Sequence, residues 1–214
     1  ETEQEQQTTK SQQTFGNGLQ AGPTELSSEF RNYQFNQSID GFSAEFFKTI
    51  GSDDFGRTHN LVYGLEYEST DTQRPRIRVS TNLMTGAQNT FLGGEYYPNK
   101  TFPDTETKRK AFFINDRIEV DERTAVVLGA RYDGYELNPK PDALFEANNQ
   151  TGYQLAEIDD SEVSLKLGFI RDLTEDVSFY AQYAEGFRSP DYESANLSFT
   201  NLAYYYMVRP NPNL

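Results

Sequence analysis

The side chains best suited to chemistry gather in three short stretches late in the 214-residue chain. Phe187, Arg188, Ser189 and Pro190 set a guanidinium between an aromatic ring and a proline. A guanidinium pairs well with carboxylates, and proline fixes its own φ. This stretch therefore either contacts an anionic group or shapes the loop that carries it. Tyr204, Tyr205 and Tyr206 form a run of phenols, and a phenol oxygen can ligate iron. The plainer reading of NLAYYYMV is a strand with an aromatic end. Asn211, Pro212, Asn213 and Leu214 follow as a Pro/Asn-rich motif.

No catalytic set accompanies them. His59 is the single histidine and cysteine is absent, which removes thiolate metal sites and cysteine nucleophiles. His59 sits beside a short Gly/Asp turn, where a structural or solvated role fits better than ligation. Paired acids such as Asp53–Asp54, Asp121–Glu122 and Asp159–Asp160 fall in turns and loops, as solvated carboxylates do. EF-hand spacing, a Ser/His/Asp set and a phosphate-cradling glycine loop are all missing from the sequence. The expectation is no enzyme, no metal site and no permanently bound cofactor. A net charge of -14 argues against nucleic acid, which needs a basic footprint.

The elements that must position these residues are strands. Leu61, Tyr63, Leu65 and Tyr67 share one face of His59–Glu68, with Val62, Gly64, Glu66 and Glu68 opposite. In Lys110–Val120 the apolar face of Phe112, Ile114, Ile118 and Val120 is broken only by Asp116. Val126, Leu128, Ala130 and Tyr132 alternate with Val127, Gly129, Arg131 and Asp133. Val163 to Phe169 and Val177 to Tyr183 repeat the pattern, and Phe35 to Phe47 carries it imperfectly. Period 2 over segments of about ten residues suits tilted membrane-crossing strands. Short turns at 51–57, 121–123 and 172–176 alternate with long connections at 70–108, 134–160 and after 186. That rhythm matches a barrel with tight turns at one end and long loops at the other. Several long structureless loops on one side are uncommon in a compact soluble domain.

The fold expected is all-β, an antiparallel up-and-down meander forming about six strands of a larger transmembrane β-barrel. Residues 1–28, rich in Gln, Thr and Glu, read as a polar or disordered lead-in, and 29–214 as the partial barrel. Both ends read as cuts in a longer protein. In such a barrel the Leu/Val/Phe/Tyr face meets lipid, while Arg117, Glu119, Arg131, Asp133, Lys166 and Gln182 face the lumen. Tyr63, Tyr67, Tyr132 and Tyr183 become candidates for the interfacial girdle.

Several stretches then coincide with one family. GLEYE after HNLVY, FPDTETKRKAFFINDRIEV, VVLGARYDGYEL, YAQYAEGFRSP and NPNL occur in order. The chain resembles TonB-dependent outer-membrane receptors, in particular those for haem, haemoglobin and related iron-carrying proteins. Phe187–Pro190 resembles their FRAP box and Asn211–Leu214 their NPNL box. The resemblance implies a bacterial outer-membrane location, a barrel of 22 strands around an N-terminal plug, and cargo bound on the outer face. It also implies import driven through TonB, ExbB and ExbD by way of a plug that this sequence lacks. Haem is then a transported ligand, with Arg188 either a contact for its propionates or part of a box that only shapes the loop. Receptors of this kind place a histidine ligand between the two boxes. Here the interval 191–210 holds no histidine, which leaves Tyr204, Tyr205 and Tyr206 as haem-binding candidates and transport of stripped iron as another route. A siderophore or other small-molecule receptor of the same superfamily is the nearer alternative. A secreted soluble β-rich binding module is the alternative of another class.

Overall fold

The computed structural model describes residues 27–147, 154–189, 195–197, 199–201 and 205–209. Its centre is a six-stranded antiparallel sheet built from β2 (Asn36–Ile50), β3 (Thr58–Gln73), β8 (Asp104–Asp121), β9 (Thr124–Lys140), β10 (Ile158–Asp172) and β11 (Ser178–Ala184). Around it stand β1 (Ser27–Tyr33), β4 (Arg76–Asn82), β5 (Gln88–Asn89), β6 (Phe91–Leu92), β7 (Glu95–Tyr96) and the single turn of α1 (Ala143–Glu146). The hairpin β12 (Phe199–Asn201) and β13 (Tyr206–Val208) follows. The sheet order β11-β10-β9-β8-β3-β2 makes each strand neighbour the next central strand in the chain, an up-and-down meander. The expected partial barrel wall is therefore present.

Directly paired residues in an antiparallel ladder lie on the same face, so the register assigns every side chain. One face carries successive rows: Ala44, Leu65, Phe112, Tyr132 and Val163; then Phe46, Tyr63, Ile114, Ala130 and Leu165; then Lys48, Leu61, Asp116, Leu128 and Leu167; then Ile50, His59, Ile118, Val126 and Phe169. These side chains are exposed in bulk, as a lipid-facing surface must be. The opposite face holds Arg117, Glu119, Arg131, Asp133, Lys166 and Gln182 together.

The apolar face ends sharply at the long-loop end. Phe42, Tyr67, Lys110 and Gly134 form one row, and Asp40, Ser69, Lys108, Glu136 and Asp159 form the next. Phe42 and Tyr67 place their ring centroids 5.9 Å apart at this border, and Phe112 and Tyr132 lie 6.4 Å apart one row below. Tyr67 and Tyr132 thus occupy the girdle level. Tyr63 stacks on Phe46 at 5.5 Å within the apolar rows, and Tyr183 pairs with Leu167 there.

Two expectations need correction. The connection at 70–108 is not one long loop, because β3 continues to Gln73 and β8 begins at Asp104. Likewise β9 runs to Lys140 and β10 starts at Ile158, so the loop at 134–160 shrinks from both sides. Beyond the apolar border the lipid-side positions turn polar, and in β9 the apolar residues Tyr135 and Leu137 stand on the opposite face. The alternation that marks a strand in the sequence fades or changes phase there while the hydrogen-bond ladder goes on. The lead-in assigned to residues 1–28 lies, except for Ser27 and Ser28, outside the described residues; those two already belong to β1.

What remains between β3 and β8 is itself built. Pro75 lacks a ladder N–H, and the hairpin of β2 and β3 breaks there and resumes as β1 on β4, Tyr33 opposite Arg76 through Ser27 opposite Asn82. Gln34 N donates to Pro75 O at 3.1 Å across the break. Arg76 and Asn99 exchange two backbone hydrogen bonds of 2.8 and 2.9 Å. The Arg76 side chain also reaches Asn99 Oδ1 at 2.8 Å and Glu95 Oε2 at 3.0 Å. Tyr97, buried beneath Arg76 and Arg78, donates to Glu95 at 2.9 Å, and burial pushes its phenol up to about 12.

Candidate functional site

At the long-loop end the polar face carries an ion-pair ladder. Arg131 Nη2 donates to Glu66 Oε2 at 2.7 Å, and its Nε donates to the Asp133 carboxylate at 2.9 and 3.0 Å. Beneath it the Phe113 ring centroid lies 5.9 Å from the Arg131 guanidinium. Phe113 can lie flat here because its cross-strand partner is Gly64. A Cβ at Gly64 would meet the Phe113 ring at 2.6 Å and Ala44 O at 2.5 Å. One step higher, Arg109 stands 5.9 Å from the Tyr135 ring and only 3.9 Å from Glu68.

The chain leaves β11 and turns onto this same face. Leu165 N donates to Glu185 Oε2 at 3.0 Å and Glu185 N to Leu165 O at 2.9 Å, which holds the exit against β10. Phe187 then packs on a small core of Tyr135, Leu137, Ala156 and Ala195. Asn196, fully buried, accepts from Ala156 N at 2.7 Å and donates to Ala156 O at 2.9 Å, doing with a side chain what a strand does with its backbone. The result is a concavity of about 910 Å³ lined in part by Arg109, Arg131, Tyr135, Phe187, Arg188 and Ser189. Its lining joins Phe42, Tyr67 and Phe187 to guanidinium groups and to the carboxylates of Glu66, Glu68 and Asp133, so an anionic group pairs there only with a guanidinium those carboxylates leave open.

Of the residues singled out in the sequence, Phe187, Arg188 and Ser189 are brought to this concavity. Pro190, Tyr204, Asn211, Pro212, Asn213 and Leu214 lie outside the described residues. Tyr205 sits at the tip of the β12–β13 hairpin, 95% exposed, with φ of 53°, a left-handed backbone that non-glycine residues seldom adopt. Tyr206 opens β13 opposite Asn201. Among the described residues no group of three or more histidine or acidic side chains could hold a metal ion.

Sequence reasoning missed Arg109, Tyr135, Ala195 and Asn196 as parts of the site. A signal for Arg109 existed, since Thr105, Thr107, Arg109 and Ala111 continue the odd positions of β8 past the apolar rows. Nothing local marked Asn196, whose partner Ala156 is forty residues away.

Among the described residues no helix is long and apolar enough to cross a membrane, a statement that leaves β-barrels untouched. A comparison with curated proteins found no match. The family model described as TonB dependent receptor-like, beta-barrel, matches residues 3–214, and with a barrel wall, sided connections and a two-faced sheet the chain belongs to that family of outer-membrane receptors.

Proposed function

We propose that the chain forms part of a receptor that carries haem, or iron taken from haemoproteins, across the bacterial outer membrane, powered through TonB with ExbB and ExbD. The observation that supports it most is the seating of Phe187 and Arg188 beside Arg109 and Tyr135 in one concavity at the long-loop end. Aromatic surface suits a porphyrin face, and guanidinium groups suit its propionates. Arg131 is already engaged by Glu66 and Asp133, and Arg109 stands 3.9 Å from Glu68, so Arg188 is the cation for an incoming carboxylate. The exposed Tyr205 phenol is a candidate iron ligand at the outer end. In this reading the long loops are extracellular and the short turns periplasmic.

Haem titration of the full-length receptor tests the assignment. A Soret change that weakens in Arg188→Ala is expected. No Soret change together with no growth on haemoglobin rejects it. The histidine-free interval 191–210 favours a second reading, a siderophore receptor of the same family. Growth on a ferric siderophore with no response to haem would select that reading.

A further inference from the structure

We propose that Lys48 and Asp116 form a contact site for a lipid headgroup that carries an ammonium beside a phosphate, on the membrane face of the sheet near its short-turn end. The site uses only the barrel wall and holds whatever cargo the receptor takes. The row Lys48, Leu61, Asp116, Leu128 and Leu167 sets a cation and a carboxylate among three leucines. Acyl chains solvate neither charge, and such residues on a lipid-facing surface are costly unless something polar meets them.

The chain itself does not meet them. Lys48 stands two positions before the end of β2 and has no ion pair among the described residues. Its four-carbon stem carries the ammonium toward the headgroup level. Asp116 is too short to do the same, and it is held in place. Its Oδ2 accepts from His59 at 2.7 Å, and His59 in turn faces Asp53, which Arg57 grips from the turn at 2.6 Å. Asp116 Oδ1 has no partner in the described structure. A carboxylate can accept about four hydrogen bonds, and this one receives a single bond from the chain. Its side chain is still 20% exposed.

The spacing selects the headgroup. Lys48 and Asp116 flank Leu61 at two strand spacings, about 10 Å between backbones. A phosphate against the Lys48 ammonium leaves room for an amine, two carbons further on, to donate to Asp116. Phosphatidylethanolamine has that chemistry. A headgroup with a phosphate and no amine satisfies Lys48 but brings a second anion toward Asp116, and a trimethylated amine has no N–H to give. One further row, Ile50 to Phe169, separates the site from the short turns. That is about 7 Å along the strands, within reach of the headgroups of the near leaflet.

Native mass spectrometry of the full-length receptor in mild detergent tests this, with phosphatidylethanolamine, phosphatidylglycerol and phosphatidylcholine as probes. The wild type should retain phosphatidylethanolamine in preference to the other two. Asp116→Asn should lower that retention by about tenfold, the scale of a lost charge-assisted hydrogen bond, and leave phosphatidylglycerol unchanged. Lys48→Met should lower phosphatidylethanolamine and phosphatidylglycerol together. His59→Leu with Asp116→Leu, which leaves no stranded polar partner, should lose the same preference as Asp116→Asn and covers the case in which that variant fails to assemble. Heat-modifiable gel mobility checks assembly of each. Equal retention of the three lipids by the wild type means ordinary boundary lipid and overturns the site. A preference for phosphatidylethanolamine that survives the variants places it elsewhere and also overturns it. Loss through Lys48→Met alone leaves a bare phosphate contact and overturns the paired headgroup.

Discussion

His59 Nδ1 lies 2.7 Å from Asp116 Oδ2 on the largely apolar face of the sheet, with Lys48 in the Asp116 row beyond Leu61. A carboxylate only accepts, so the imidazole N–H donates. Asp116 sits between Leu61 and Leu128 in the register, and its other oxygen has no partner in the described structure. The pair explains the one break in the apolar pattern of β8. It stands at the short-turn end, where Asp53 Oδ2 is 3.6 Å from His59 Nε2. Removing one member strands the other on an apolar surface, whereas replacing both with apolar groups removes the cost altogether. His59→Ala should therefore lower the urea midpoint of the refolded receptor. His59→Leu with Asp116→Leu should restore or raise it. A double variant as weak as the single one would show that the pair is not the source of the effect.

Leu128 is exposed on the apolar face, two residues below Ala130. Leu128→Arg should hinder assembly at a cost of roughly 2–4 kcal/mol if the residue sits near the bilayer midplane. Gln182→Arg, on the polar face, should assemble normally. Gel mobility of outer-membrane fractions reads both, and the reverse outcome would mean the faces are inverted.

Gly64 sits under Phe113, and a Cβ there meets both a ring and the Ala44 carbonyl. Gly64→Ala should destabilise the barrel by about 1–3 kcal/mol, the usual cost of overpacking. Phe113→Ala in the same chain should recover only part, because Ala44 O is backbone and cannot swing away. Full recovery in chemical denaturation would assign the whole clash to the ring.

Glu29 lies outside the membrane rows. Burial alone would push its carboxyl up, but the hydrogen bonds and charges of Arg31 and Arg78 outweigh it and bring it down from 4.5 to about 2. A carboxyl depressed in the folded state contributes stability that is present above its unfolded value and lost as pH falls through its folded one. The β1–β4 extension should thus hold at and above pH 4.5 and loosen between 4.5 and about 2. NMR titration of the Glu29 carboxyl and pepsin sensitivity of the extension follow this, and Glu29→Gln should remove the pH dependence. A Glu29 titration near 4.5 would refute the clamp.

The sequence determined by itself what short-range periodicity can carry. Alternation from Leu61 to Tyr67, Phe112 to Val120, Val126 to Tyr132, Val163 to Phe169 and Val177 to Tyr183 identified five strands and their apolar faces, with Phe35 to Phe47 an imperfect sixth, because a side chain's face in a strand depends only on its parity. Turn residues at 51–57, 121–123 and 172–176 located the hairpins that join them. Wherever no face met lipid, the pattern lost its contrast or changed phase: Asp104–Lys108 is polar on both faces, Gly134–Lys140 turns Tyr135 and Leu137 to the side opposite the apolar rows, Arg76–Asn82 offers only Ile77 and Val79, and all three passed for loop. The site was legible only as Phe187–Ser189. Its other members, Arg109, Tyr135 and Asn196, come together through cross-strand register and a chain that folds back over the sheet. So does the pairing of His59 with Asp116, fifty-seven residues apart. Tertiary structure alone decides such contacts, because they depend on which strands lie side by side and in what register, and local sequence is silent about both.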